Sequence, residues 1–154
     1  MGKLVRVLMA MMLVVLAACG GGEDEEATDE PTDVPTLEET TTVPAASVTF
    51  VVPADGATVT SPVKVQMEAT GVAIEPAAQG VKPNSGHFHI IVDGDCVAAG
   101  QVVPSDLTHI HYGMAQKEAE IPLTPGEHTL CLQVADAMHT ATDLTEKITI
   151  TVGS

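Results

Sequence analysis

The sequence predicts an all-β protein, a two-layered antiparallel sandwich of about seven strands, preceded by a leader and a polar tether. Three observations carry that expectation. Apolar and polar residues alternate with a period of two in one segment after another beyond residue 46 of the 154-residue chain. Clusters of Pro, Gly and Asp separate those segments at short intervals. No segment carries a long apolar stripe of helical period.

Residues 1–18 read as a leader. Lys3 and Arg6 precede an apolar run from Val7 to Leu16, and small residues follow. That order is the positive region, short apolar region and cleavage site of an export signal. The run is too short to cross a bilayer core of about 30 Å as a permanent helix. Leu16-Ala17-Ala18-Cys19 resembles the lipobox of bacterial lipoproteins. The resemblance implies cleavage before Cys19 and acylation of that cysteine. The membrane, reached through this lipid anchor, is then a partner, and the protein sits on its extracytoplasmic face, at the cell surface or in the periplasm. Where an outer membrane exists, Gly20 rather than Asp after the cysteine implies delivery to it.

Residues 19–45 form a linker. From Gly20 to Ala45 there is no Lys or Arg, and the residues are mostly Gly, Glu, Asp, Thr and Pro. Such a stretch buries too little apolar surface to offset its ordering entropy, so disorder is expected. Its like charges, among them Glu23, Asp24, Glu25 and Glu26, should extend it. It lacks the Asp-x-Asp-x-Asp-Gly spacing of a shaped calcium loop. The chain as a whole carries a formal charge of −15. Acids outnumber the lysines Lys64, Lys82, Lys117 and Lys147 by about three to one after residue 46. Nucleic acid and anionic lipid surfaces are thereby excluded as electrostatic partners. Phe50, Phe88 and Tyr112 are the whole aromatic complement, too few for stacking platforms for sugars or bases.

Residues 46–154 form the folded domain. Val48, Phe50 and Val52 alternate with Thr49 and Val51, and Pro53-Ala54-Asp55-Gly56 turns the chain. Val63, Val65, Met67 and Ala69 alternate with Lys64, Gln66 and Glu68, and Phe88, Ile90 and Val92 with His87, His89 and Ile91. Ala119, Ile121 and Leu123 follow the same rule before Pro125-Gly126, then Leu130, Leu132 and Val134, and finally Ile148, Ile150 and Val152. Each segment reads as a half-buried strand with one face to a core and one to water. The strand count and turn spacing predict an immunoglobulin-like antiparallel β-sandwich, with a small jelly-roll barrel as the alternative.

With Cys19 consumed by the lipid, Cys96 and Cys131 remain. In an oxidising compartment the pair is expected to bridge, contributing roughly 3–4 kcal/mol through loop entropy. A thiolate metal site or redox pair would usually show Cys-x-x-Cys spacing, which is missing.

All six histidines fall between residues 87 and 139. His87-Phe88-His89 and His109-Ile110-His111 each place two imidazoles on one face of a strand. Each pair is spaced to ligate one metal ion, and His139 can supply a further ligand from the loop Asp136-Ala137-Met138-His139. Asp93 and Asp136 enter as additional ligands or as acceptors that hold the imidazole tautomers. Met114 and Met138, near His111 and His139, add soft donors and favour copper over zinc. Against this, histidines on exposed strand faces cost little and need no ligand to explain them. His128 stands apart, as a sheet-end histidine on the core side with Leu130.

Gly86-His87-Phe88-His89-Ile90-Ile91-Val92-Asp93, Pro104-x-Asp106-x-x-His109-Ile110-His111-Tyr112-Gly113, Pro125-Gly126-Glu127-His128-Thr129-Leu130 and Asp136-x-x-His139 resemble the bacterial family called domain of unknown function 4399. Pro53-x-Asp55-Gly56-Ala57-x-Val59-x-Ser61-Pro62-Val63 fits its opening strands, so the resemblance spans Phe50 to Val152. It implies export, the domain limits and the histidine set, and no activity. Phe88 takes the place of the middle of three family histidines, on the opposite face from the proposed pair. Gly113-Met114-Ala115-Gln116 departs from the family's Gly-x-Gly-Gln. The paired motifs also resemble those of cupins, but the glycine spacing before His87 is wrong and Asp93 or Asp95 stands where glutamate belongs.

Two functions follow as expectations. The first is an envelope lipoprotein that binds copper or zinc through His87, His89, His109, His111 and His139, for sequestration or delivery. The second is a structural module that binds an envelope protein and no metal. Catalysis is the weaker expectation: no general base stands beside the histidines, and no Ser-His-Asp, Cys-His or phosphate-loop pattern is present.

Overall fold

The computed structural model describes residues 45–154. The leader, Cys19 and the linker up to residue 44 lie outside the described residues, and the expectations made for them lie outside with them. The strands are β1 (Ser47–Val52), β2 (Thr58–Val59), β3 (Val63–Thr70), β4 (Ala73–Ile74), β5 (Ser85–Val92), β6 (His109–Tyr112), β7 (Glu118–Ile121), β8 (Gly126–Ala135) and β9 (Ala141–Val152). A single 3-10 turn, Ala77–Gln79, is the only helical segment among the described residues.

Two sheets make the sandwich. The smaller has the order β1-β3-β7, and the larger β2-β9-β8-β5-β4, with β6 also on β5. The core between them follows the period of two. Val48 and Phe50 of β1, with Val63, Val65 and Met67 of β3, meet Phe88 and Ile90 of β5, Leu130 and Leu132 of β8, and Ile148 and Ile150 of β9. The intervening Lys64 and Glu68 are exposed, as alternation requires. Glu146 of β9 ties the sheets at their edge, accepting hydrogen bonds from the Phe50 N–H and, at 3.2 Å, from the Thr49 hydroxyl.

The structure differs from the expected sandwich in two ways. The sheets are not purely antiparallel: the short strands β2 and β4 run parallel to β9 and β5. More consequential for the site, β5 and β8 are buried on both faces, not one. Every β5 residue from Gly86 to Val92 is buried, as is every β8 residue from Leu130 to Ala135.

The cover on the outer face is the segment between β5 and β6, residues 93–108. The Cys96–Cys131 disulfide fastens it to β8. Gln133, fully buried, accepts a bond from the Val97 N–H at 3.0 Å and donates to the Val97 and Thr142 carbonyls at 2.7 and 2.9 Å. Val103 packs with Ala135 and Ala141 in a second small core, and its N–H donates to the His139 carbonyl at 2.8 Å. This strap therefore roofs the sheet face on which His87 and His89 stand.

Candidate metal centre

Antiparallel pairing of β5 with β6 sets His89 opposite His111, and pairing of β5 with β8 sets His87 opposite Ala135 at the end of β8. The chain then turns through residues 136–140 into β9. Asp136 shapes this turn, its Oδ1 accepting from the Met138 and Thr140 N–H groups at 2.8 and 2.9 Å. His139 sits at φ +63°, the left-handed conformation that a tight turn demands. Four imidazoles converge as a result, those of His87, His89, His111 and His139, with one ligand atom from each within 4.8 Å of all the others. Nε2 of His87 and His89 lie 3.0 Å apart, and Nε2 of His111 and His139 lie 3.2 Å apart. Nitrogens bonded tetrahedrally to one ion at about 2.0–2.1 Å would stand about 3.3 Å from one another.

His87 and His89 are 0% and 2% exposed, whereas His111 is exposed and His139 intermediate. Burial, reinforced by the neighbouring imidazoles, pushes His87 down to about 4 and His89 to about 3. Burial also lowers His111, with His139 adding to it. The two buried rings are therefore neutral at pH 7, the state that ligates a metal. Nδ1 of both His87 and His89 is buried without a hydrogen-bond partner. A buried polar atom left unpaired costs about 1–3 kcal/mol, so structure alone does not justify two histidines here.

Gly113 makes room for His111. A Cβ at residue 113 would lie 2.2 Å from the Cε1 and Nε2 atoms of that ring. The obstacle is the end of an exposed side chain, so Gly113→Ala should leave the fold intact and push the ring out of the cluster. We expect metal affinity to fall on the order of tenfold or more with an unchanged thermal midpoint; equal affinity would show that His111 is not a ligand.

Not every residue singled out in the sequence joins the cluster. His109 shares a face with His111 but pairs with Ile91, and its Nδ1 is held by Asp106 at 2.9 Å. Asp106 also accepts from Thr108 and from the His109 N–H, and these bonds, that of His109 foremost, hold its carboxyl well below the usual range. Asp93 lies four residues past His89, roughly 13 Å along the strand. Its carboxylate takes the His128 Nδ1 at 2.8 Å and the Thr129 N–H at 3.0 Å. His128, bonded also to the Thr124 carbonyl, is a satisfied sheet-end histidine whose pKa the Asp93 hydrogen bond raises. Asp136 lies near enough to His87 to favour its charged form, but its bonds go to the turn. Met114 and Met138 are 79% and 67% exposed. Sequence reasoning missed the strap: nothing in the alternation of β5 marks its polar face as covered.

A cavity of about 280 Å³ opens beside the cluster, lined by His89, His111 and His139 and by Val102, Val103, Pro104 and Ser105 of the strap. A larger groove, about 440 Å³, lies among Lys64, Gln66, Glu118 and Glu120 of the small sheet, and no histidine lines it.

Fold and site together define a small all-β sandwich with a roofed four-histidine pocket. The chain belongs to the family described as a domain of unknown function, DUF4399, whose family model matches residues 65–153. No curated protein and no solved structure matches the chain.

Proposed function

We infer that this protein binds one transition-metal ion, copper or zinc, through His87, His89, His111 and His139. One observation carries the reading: four imidazoles converge, with one ligand atom of each within 4.8 Å of the others and two of the rings buried among apolar strands. A sandwich core gains nothing from that arrangement, since apolar side chains would fill the same space without stranded polar atoms. A metal ion bonded to the four facing Nε2 atoms offsets the burial of the rings, although it leaves Nδ1 of His87 and His89 unpaired. Imidazole suits both copper and zinc.

The leader and the lipobox-like Leu16-Ala17-Ala18-Cys19 support an envelope lipoprotein, tethered by lipid on Cys19 and held off the membrane by the acidic linker. In that setting the domain sequesters an extracytoplasmic metal or delivers it to an envelope protein. The test is elemental analysis and titration with zinc and copper(II) of the untagged chain from Gly20 onward, exported to an oxidising compartment. One ion per chain is expected. No bound metal would leave a structural module, and the search would turn to protein partners.

A further inference from the structure

We propose that copper(II) held by the four histidines keeps a coordination position open to a small exogenous ligand, a compact monoanion or neutral donor that bonds the ion directly. This rests on the metal reading above and goes beyond it.

The geometry is one-sided. The cavity is lined by His89, His111 and His139 against Val102, Pro104 and Ser105, while His87 lies outside it, fully buried. An ion bonded to the ring nitrogens is thus backed by β5 and faces the strap across open space. That space, about 280 Å³, holds several waters at about 30 Å³ each, and falls short of the roughly 300–1,000 Å³ of sites for drug-sized molecules. The ligand is therefore small.

Its chemistry follows from the walls. No Lys or Arg lines the cavity, so recognition by ion pairing is not available. The ion itself is the recognising group. Imidazole ligates as an uncharged donor, so four of them leave a divalent ion its full charge. Copper(II) accepts a further donor beside four nitrogens, whereas zinc held by four protein ligands is closed, so the open position belongs to the copper form. The ligand donates a lone pair and displaces water; no electron is transferred.

The chain from Gly20 onward, loaded with copper(II) to one ion by elemental analysis, is titrated with azide and followed by visible absorption. The expected result is a new charge-transfer band that saturates at one azide per copper. Ser105→Trp and Val102→Trp occupy the cavity from the strap without replacing a histidine. Both should keep one copper, and azide affinity should fall by about tenfold or more. An unchanged spectrum in the copper-loaded protein, or undiminished azide binding in both tryptophan variants, overturns the proposal. Release of copper by azide overturns it too. Failure to take up copper is seen before azide is added, and falls on the metal reading first.

Discussion

Replacing His87 and His89 together by alanine should abolish stoichiometric metal binding and leave the domain folded. The two residues contribute the buried half of the four-nitrogen set, and their neutral state is enforced by burial. Without them, His111 and His139 remain as a two-ligand site near the surface, and the metal loses half its bonds. The fold should survive because the losses and gains oppose one another. Truncating a buried side chain costs about 2–5 kcal/mol in an apolar core. Removing each ring also removes an unpaired buried nitrogen that costs about 1–3 kcal/mol. Calorimetric titration of the variant against the parent, with circular dichroism as the check on folding, measures both. His109→Ala is the matching control and should keep one ion per chain, since Asp106 holds that ring. If the double variant binds metal as the parent does, or His109→Ala loses it, the four-histidine assignment is wrong.

The second large effect concerns the disulfide. Cys96 and Cys131 are 35 residues apart, and opening a loop of that length should cost about 4 kcal/mol of stability through denatured-state entropy. The bond also anchors the strap, though not alone. With it gone, the Val97–Gln133 hydrogen bonds, the Val103 contacts with Ala135 and Ala141, and backbone bonds between Gly100, Gln101 and Val103 and the facing Ala141 and His139 still hold the strap. The Cys96→Ala/Cys131→Ala variant should therefore show a lower urea midpoint and keep its metal site, because Val102 and Val103 stay bonded to Thr140 and His139. A loss below about 1 kcal/mol would mean that the strap is held by its packing and not by the bridge.

Much of the fold was legible in the sequence. Val63, Val65 and Met67 alternating with Lys64 and Gln66 can satisfy a core only as a strand, and they form β3. The cysteine pair was legible because only two cysteines follow Cys19. The same rule misread the outward faces of β5 and β8. A polar residue at an alternate position reads as solvent-facing, yet Gln133 is fully buried, bonded by the strap at Val97 and by β9 at Thr142. Alternation reports which residues share a face, not what lies over it.

The histidines show where the line falls. By itself the sequence determined that His87 and His89 share a face of their strand, that His109 and His111 share a face of theirs, and that His139 follows a strand in a turn. Those are local consequences of a strand's period of two. Only the tertiary structure decided which of them meet. Register set His111 beside His89 and His109 beside Ile91, and the turn shaped by Asp136 brought His139 across from β8. Asp106 and Asp93 took His109 and His128 for themselves. Strand pairing is a contest among residues far apart in the chain, decided by the burial and hydrogen bonding of the whole sheet, and no local pattern records its outcome.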